Sequence, residues 1–305
     1  MEVKENQGQA PKKQEPGSVP ESSPGAVPRS APVTVPELQQ MKRDGRKIVG
    51  VVAWDYPMAQ IADRAGVDIV SVGDSVGVNL WGHSNPLEVT MEEMLVVCKA
   101  VRRGVKRAMV SCDFPFGPLQ EGPEAAVRAA IRLVKEGGAD MVKLDGAAAF
   151  PEAVKAVARA GIPVFAHFGI TPQTALQYGI PYSDLLKPGA ALPDQMTQSL
   201  VEEAKLLEQS GASLLDFQHS GPVAGPAVTQ AVSIPVIGGQ GGGPWLDGRM
   251  RMAHAAIGYT TSWIESKQET YAYVARTALE ALEAYAEDVR AARQIKGGIK
   301  MKAAP

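Results

Sequence analysis

Cysteine is nearly absent: Cys98 and Cys112 are the two in 305 residues, and they lack CxxC spacing. That leaves no disulfide framework and points to two buried, reduced thiols. Histidine is almost as scarce, with four residues and no HxxxH or HExxH spacing, so a histidine-built zinc site has no support. Net charge is small, −2, and no basic stripe stands out, so no nucleic-acid partner is expected. No apolar run approaches the roughly 18 residues that cross a bilayer. The N-terminus lacks the basic-then-apolar order of a signal peptide. The expectation is a cytoplasmic protein with no membrane partner. No GxGxxG follows the first strand-like run, which argues against a dinucleotide fold.

What is present suits one large core, with 45% hydrophobic and 21% charged residues. Residues 1–35 stand apart. They are rich in Pro, Ser and Gly and poor in large apolar side chains, and read as a disordered arm that cannot offset its ordering entropy. From Lys47 the pattern alternates. Strand-like runs at 47–55, 68–75, 107–116, 140–146, 162–169, 213–218 and 234–241 are bounded by Gly or Pro. Helical segments such as MEEMLVVCKAVRRG, PEAAVRAAIRLVKEGG, PEAVKAVARAG and QMTQSLVEEAKLLEQSG lie between them, and all four end at Gly. Serial βα units predict a parallel sheet with helical crossovers. The fold expected is an α/β, (β/α)8 TIM barrel over residues 36–265. The eighth strand is placed near AAIGYT (255–260). A C-terminal helix and tail fill 266–305, with the helix running from Ser266 to Gln294. GGQGGG (238–243) reads equally well as an anion site or a tight turn.

In such barrels the chemistry collects at the C-terminal ends of the strands. Here those ends carry Asp55, Asp74 and Ser75, Asp113, Lys143 and Asp145, His167, then Asp216, Gln218 and His219, and Gln240. A single strand-end acid is commonly a helix cap. Asp74, Asp113 and Asp145 together are hard oxygen donors suited to Mg²⁺ or another divalent cation such as Mn²⁺. Such an ion polarises a 2-oxo acid and stabilises the enolate left when a C3 proton departs. Lys143 adds positive charge at that oxygen, His167 orients or stabilises it, and Asp216 is the candidate base. The plainer alternatives are a Lys143 ion pair with Asp113 or Asp145, a satisfied core His167, a loop role for His219, a structural His254, and packing roles for Trp54 and Trp81.

Several ordered phrases then resemble the ketopantoate hydroxymethyltransferase family, within the phosphoenolpyruvate mutase and isocitrate lyase barrels. They are DYPMAQIADRAGVDIVSVGDSVG (55–77), WGH and PLEVTMEEM (81–94), AVRRG (100–104), DFPF (113–116), MVKLDG (141–146), HFGITPQ (167–173) and IPVIGGQGGG (234–243). The resemblance implies hydroxymethyl transfer from 5,10-methylenetetrahydrofolate to 3-methyl-2-oxobutanoate in pantothenate synthesis, by a homo-oligomer, often a decamer. It implies that Asp74 and Asp113 bind metal, Ser75 contacts the substrate carboxylate, and Lys143 and His167 contact substrate. Asp145 and Asp216 stand where the family has a glutamate near the metal and a glutamate base. Each is one methylene shorter, roughly 1.5 Å. The segment after TPQ, the phrase LDFQHSGP (215–222) and Gln240 also depart from the family pattern. Two other readings therefore stay open: a folate-independent metal aldolase or lyase acting on another 2-oxo acid, and a non-catalytic barrel serving as a scaffold.

Overall fold

The computed structural model describes residues 31–182, 194–239 and 243–298. The apolar runs form parallel strands: β1 (Ile48–Val52), β2 (Ile69–Val72), β3 (Met109–Asp113), β4 (Met141–Asp145), β5 (Val164–Phe168), β6 (Leu214–Phe217), β7 (Val236–Gly238) and β8 (Gly248–Met252). They pair in chain order, and β8 returns to β1 to close the barrel. Every residue of β3, β4 and β5 is buried, because helices cover one face and the barrel interior fills the other.

β1 and β8 differ. Val49, Arg249 and Arg251 are exposed, while Gly50 and Met250 are buried. This alternation hides β8 among charged residues. The strand expected at 255–260 lies at Gly248–Met252 instead, and Ala253–Ala256 form a short helix.

The helices follow their end signals. Met91–Gly104 starts on a reciprocal box: Thr90 Oγ1 accepts from the Glu93 N–H, and the Thr90 N–H donates to Glu93 Oε2 at 2.7 Å. It stops at Gly104, where a Cβ would stand 2.7 Å from the Tyr56 carbonyl oxygen. Pro opens Pro123–Arg132 and Pro151–Arg159. The first continues as a widened turn over Leu133–Gly137 and ends at Gly138, whose φ is +79°.

Packing begins inside the segment that composition groups with the arm. Val33 is buried, its N–H donates to the Arg107 carbonyl at 2.8 Å, and Thr34 caps the helix Val35–Arg43. Residues 1–30 of the expected arm lie outside the described residues, as do Gln240 and part of the segment after TPQ. The C-terminal helix is shorter than expected, Val274–Arg290. Cys98 and Cys112 are buried and unpaired by disulfide. Among the described residues no helix is long and apolar enough to cross a membrane.

Candidate active site

A cavity of about 800 Å³ opens at the C-terminal ends of the strands. Strand register builds its floor. Asp113 on β3 pairs with Lys143 on β4, Asp145 on β4 with His167 on β5, and His167 with Asp216 on β6. Four consecutive strands thus bring acid, lysine, histidine and acid side by side. Asp74 and Ser75, just beyond β2, complete the wall. Asp74, Asp113, Lys143, Asp145, His167 and Asp216 are all buried.

Lys143 bridges two carboxylates, 3.0 Å from Asp216 Oδ2 and 3.4 Å from Asp113 Oδ2. Its anticipated ion pair therefore involves Asp113, with Asp216 as the closer partner. His167 Nδ1 lies 3.2 Å from Asp145 Oδ2, and its Nε2 lies 3.9 Å from Asp216 Oδ2. Thr171 donates its hydroxyl to Asp145 Oδ1, Ser71 donates to Asp113 Oδ1 at 3.3 Å, and Gln173 Nε2 donates to Asp74 Oδ2 at 2.8 Å. Asp216 Oδ1 has no hydrogen-bond partner among the described residues.

These contacts set the charge states. Burial, reinforced by Asp113 and Asp145, pushes the Asp74 carboxyl up to about 7. Burial also raises Asp113, against the pull of Lys143 and His167. Burial opposes the Lys143 charge, but Asp113 and Asp216 outweigh it and hold the ammonium above its usual range. His167 is raised because Asp216 and Asp145 outweigh burial and Lys143. Burial works against the Asp216 charge as well, yet Lys143 and His167 hold that carboxyl below its ordinary value.

Four buried acids, Asp74, Asp113, Asp145 and Asp216, face one lysine and one histidine, an acidic excess in which burial and crowding raise Asp74 and Asp113. A divalent cation fits that excess. Among the described residues no three His, Cys, Asp or Glu side chains close into a full ligand set. Asp74 and Asp113 are the acids such an ion would meet. Asp145, expected as a third ligand, has one oxygen bonded to Thr171 and the other beside His167.

Asp55 caps Tyr56–Arg64 through the Met58 N–H, the plainer of its two readings. Ser75 makes no side-chain cap bond and lines the cavity. Trp54 and His254 stack with centroids 4.7 Å apart and also line it. Gln173 and Thr171, within HFGITPQ, sit on the loop after β5, which folds back over the acids. A second hollow of about 330 Å³, bounded by Pro123, Glu124, Val127 and Ala156, lacks convergent polar groups.

A closed parallel barrel with ionisable side chains buried together at its C-terminal mouth defines a (β/α)8 enzyme of the acid–base kind. The chain belongs to the ketopantoate hydroxymethyltransferase family, whose model matches residues 32–294. It is 41% identical over 259 residues to a 3-methyl-2-oxobutanoate hydroxymethyltransferase of Cyanothece sp., covering 83% of this chain and 95% of that protein. The homologue of the same description from Salinibacter ruber is 37% identical over 253 residues, covering 83% and 93%. In fold the chain is similar to 2,3-dimethylmalate lyase, a PEP mutase/isocitrate lyase superfamily member, with a TM-score of 0.54, 12% identity and coverage of 88% and 91%. It is also similar in fold to phosphonopyruvate hydrolase in complex with oxalate and Mg²⁺, with a TM-score of 0.53, 13% identity and coverage of 86% and 88%.

Proposed function

We propose that this enzyme transfers a hydroxymethyl group from 5,10-methylenetetrahydrofolate to 3-methyl-2-oxobutanoate, giving 2-dehydropantoate, as a cytoplasmic homo-oligomer in pantothenate synthesis. The names of its relatives support the substrate. The observation that carries the chemistry is Asp216: ionised by its neighbours, set in the cavity wall, and with Oδ1 unpartnered among the described residues.

Asp74 and Asp113 hold Mg²⁺ or another divalent cation, which when bound supplies polarisation of the keto oxygen. Ser75 binds the substrate carboxylate. Asp216 removes the C3 proton. Lys143 sits within 3.0 Å of that base and 3.4 Å of Asp113, so its ammonium faces the negative charge that develops as the proton leaves. His167 lies beside the same charge, its Nδ1 3.2 Å from Asp145 Oδ2, and Thr171 donates to that aspartate's other oxygen. The shorter Asp216 is drawn toward β4 by Lys143 rather than left to reach freely.

The test is C3 deuterium exchange of 3-methyl-2-oxobutanoate, followed by NMR with and without Mg²⁺ and tetrahydrofolate. Mg²⁺-dependent exchange is expected, with at least about a hundredfold loss in Asp216→Asn. Exchange in the wild type that is unaltered in Asp216→Asn would remove Asp216 as the base. A second reading, metal-dependent aldol chemistry without folate, is favoured by the polar Gln218–His219 wall, and product formation from formaldehyde alone would establish it.

A further inference from the structure

The loop that leaves β5 is pinned over the acids by two buried side chains, Thr171 and Gln173, while Pro172 between them lines the cavity. Thr171 stays close to β5 and donates to Asp145, the last residue of β4. Gln173 crosses to the other side of the mouth. Its Nε2 donates to Asp74 Oδ2 at 2.8 Å and to the Phe114 carbonyl at 3.0 Å. One amide thus ties the acid beyond β2 to the residue that follows Asp113 at the end of β3. Phe114 is itself a firm anchor: it is buried, and its N–H donates to the Lys143 carbonyl at 2.9 Å.

Chemistry fixes the orientation of that amide. A carboxylate and a backbone carbonyl are both acceptors, so the NH₂ end must face them, and its two N–H groups are then both used. The two acids that a cation would meet are held differently. Asp113 accepts from Ser71 at 3.3 Å on Oδ1 and lies 3.4 Å from Lys143 on Oδ2. Asp74 has Gln173 as its one hydrogen-bond donor among the described residues. Asp113 and Asp145 both act on Asp74 with like charge. A carboxylate repelled by its neighbours turns away from them unless something holds it, whereas two acids that share a cation must converge. A neutral amide suits that task. It holds one oxygen without bringing a positive charge that would compete with the cation, as lysine or arginine would.

We propose that Gln173 is the positioning residue of the cation site: by holding Asp74 Oδ2 and the Phe114 carbonyl together, it sets how Asp74 stands to Asp113. This rests on the role given to those two acids above and adds the residue that arranges them. Gln173 is not among the residues that line the cavity, so it acts on a bound ion through Asp74. Partners of this kind, one bond removed from a metal, are typically worth tenfold to a hundredfold in metal affinity.

The experiment measures Mn²⁺ binding to the full-length protein, with the dissociation constant read from the free-ion signal in electron paramagnetic resonance. Gln173→Met keeps the length of the side chain and removes both donors. It is expected to bind Mn²⁺ at least about tenfold more weakly than the wild type. Calorimetric scans in chelator run beside it. A glutamine that only tied down the loop would lower the metal-free melting temperature and leave the dissociation constant in place. Gln173→Asn keeps an amide but is one methylene short of spanning both acceptors, so it is expected to weaken Mn²⁺ as well, and it replaces the Met variant if that one does not fold. A folded variant whose Mn²⁺ affinity stays within about threefold of the wild type overturns the positioning role and leaves the cation reading standing. Loss of the melting transition in both variants makes Gln173 a residue of the fold and also overturns it. A wild type that binds no Mn²⁺ overturns both the positioning role and the cation reading.

Discussion

Asp74 shows what burial does to a single side chain. Its carboxyl moves from an ordinary 3.8 to about 7, chiefly through desolvation and then through Asp113 and Asp145. A carboxyl raised on folding makes the native state bind more protons than the unfolded chain between about pH 4 and pH 7. Stability from this group therefore falls as pH rises through that window. Asp216 runs the other way: its value is depressed, so its contribution is present at neutral pH and lost on acidification. Without metal, Asp74→Asn is expected to raise the melting temperature, by more at pH 8 than at pH 5, in paired calorimetric scans with chelator. A gain equal at the two pH values would show that charge at Asp74 is not the stress. The strand-end positions of Asp74, Asp113, Lys143, Asp145, His167 and Asp216 were legible, because each is a polar residue at the end of an apolar run. Gln173 and Thr171 were not, because a loop residue finds its partners only after the loop has folded back.

Among the elements, the seam between β1 and β8 decides whether the sheet is a barrel. Ile48 pairs with Gly248 at its lower edge. A Cβ on Gly248 would overlap the Ile48 carbonyl oxygen, and backbone cannot step aside as a side chain can. Gly248→Ala is expected to cost about 3 kcal/mol. Gly50→Ala, whose new methyl meets only the end of Met250 at 2.7 Å, should cost clearly less. Urea denaturation of the two variants checks the order, and equal midpoints would mean that the seam relaxes freely. The same seam explains the misplaced eighth strand. Strands β2 to β7 announce themselves as continuous apolar runs because both their faces are covered, and β1 reads as apolar although its Val49 is exposed. β8 exposes Arg249 and Arg251, so its pattern mixes two signals that length and composition cannot separate.

At the scale of the molecule, the C-terminal helix leaves Leu279, Leu282, Tyr285 and Val289 exposed at helical spacing, and Ala275 is its one buried residue among those described. Such an apolar stripe is the mark of an association surface, which supports a homo-oligomer. Sedimentation velocity is expected to give a particle at least twice the 32.2 kDa chain mass, and Leu282→Glu with Val289→Glu should shift it to smaller species. A monomeric wild type would end the oligomer reading. The sequence by itself determined the βα alternation and the barrel class, because burial pattern and helix ends are written in neighbouring residues, and its ordered phrases carried the family resemblance. Only the tertiary structure decided that Lys143 is shared between Asp113, 30 residues away, and Asp216, or that Gln173 caps Asp74 from 99 residues away. It also decided that burial and the nearby Asp113 and Asp145 raise the Asp74 carboxyl. The reason is physical: a field sums over charges close in space, and strand register, not chain order, sets which charges are close.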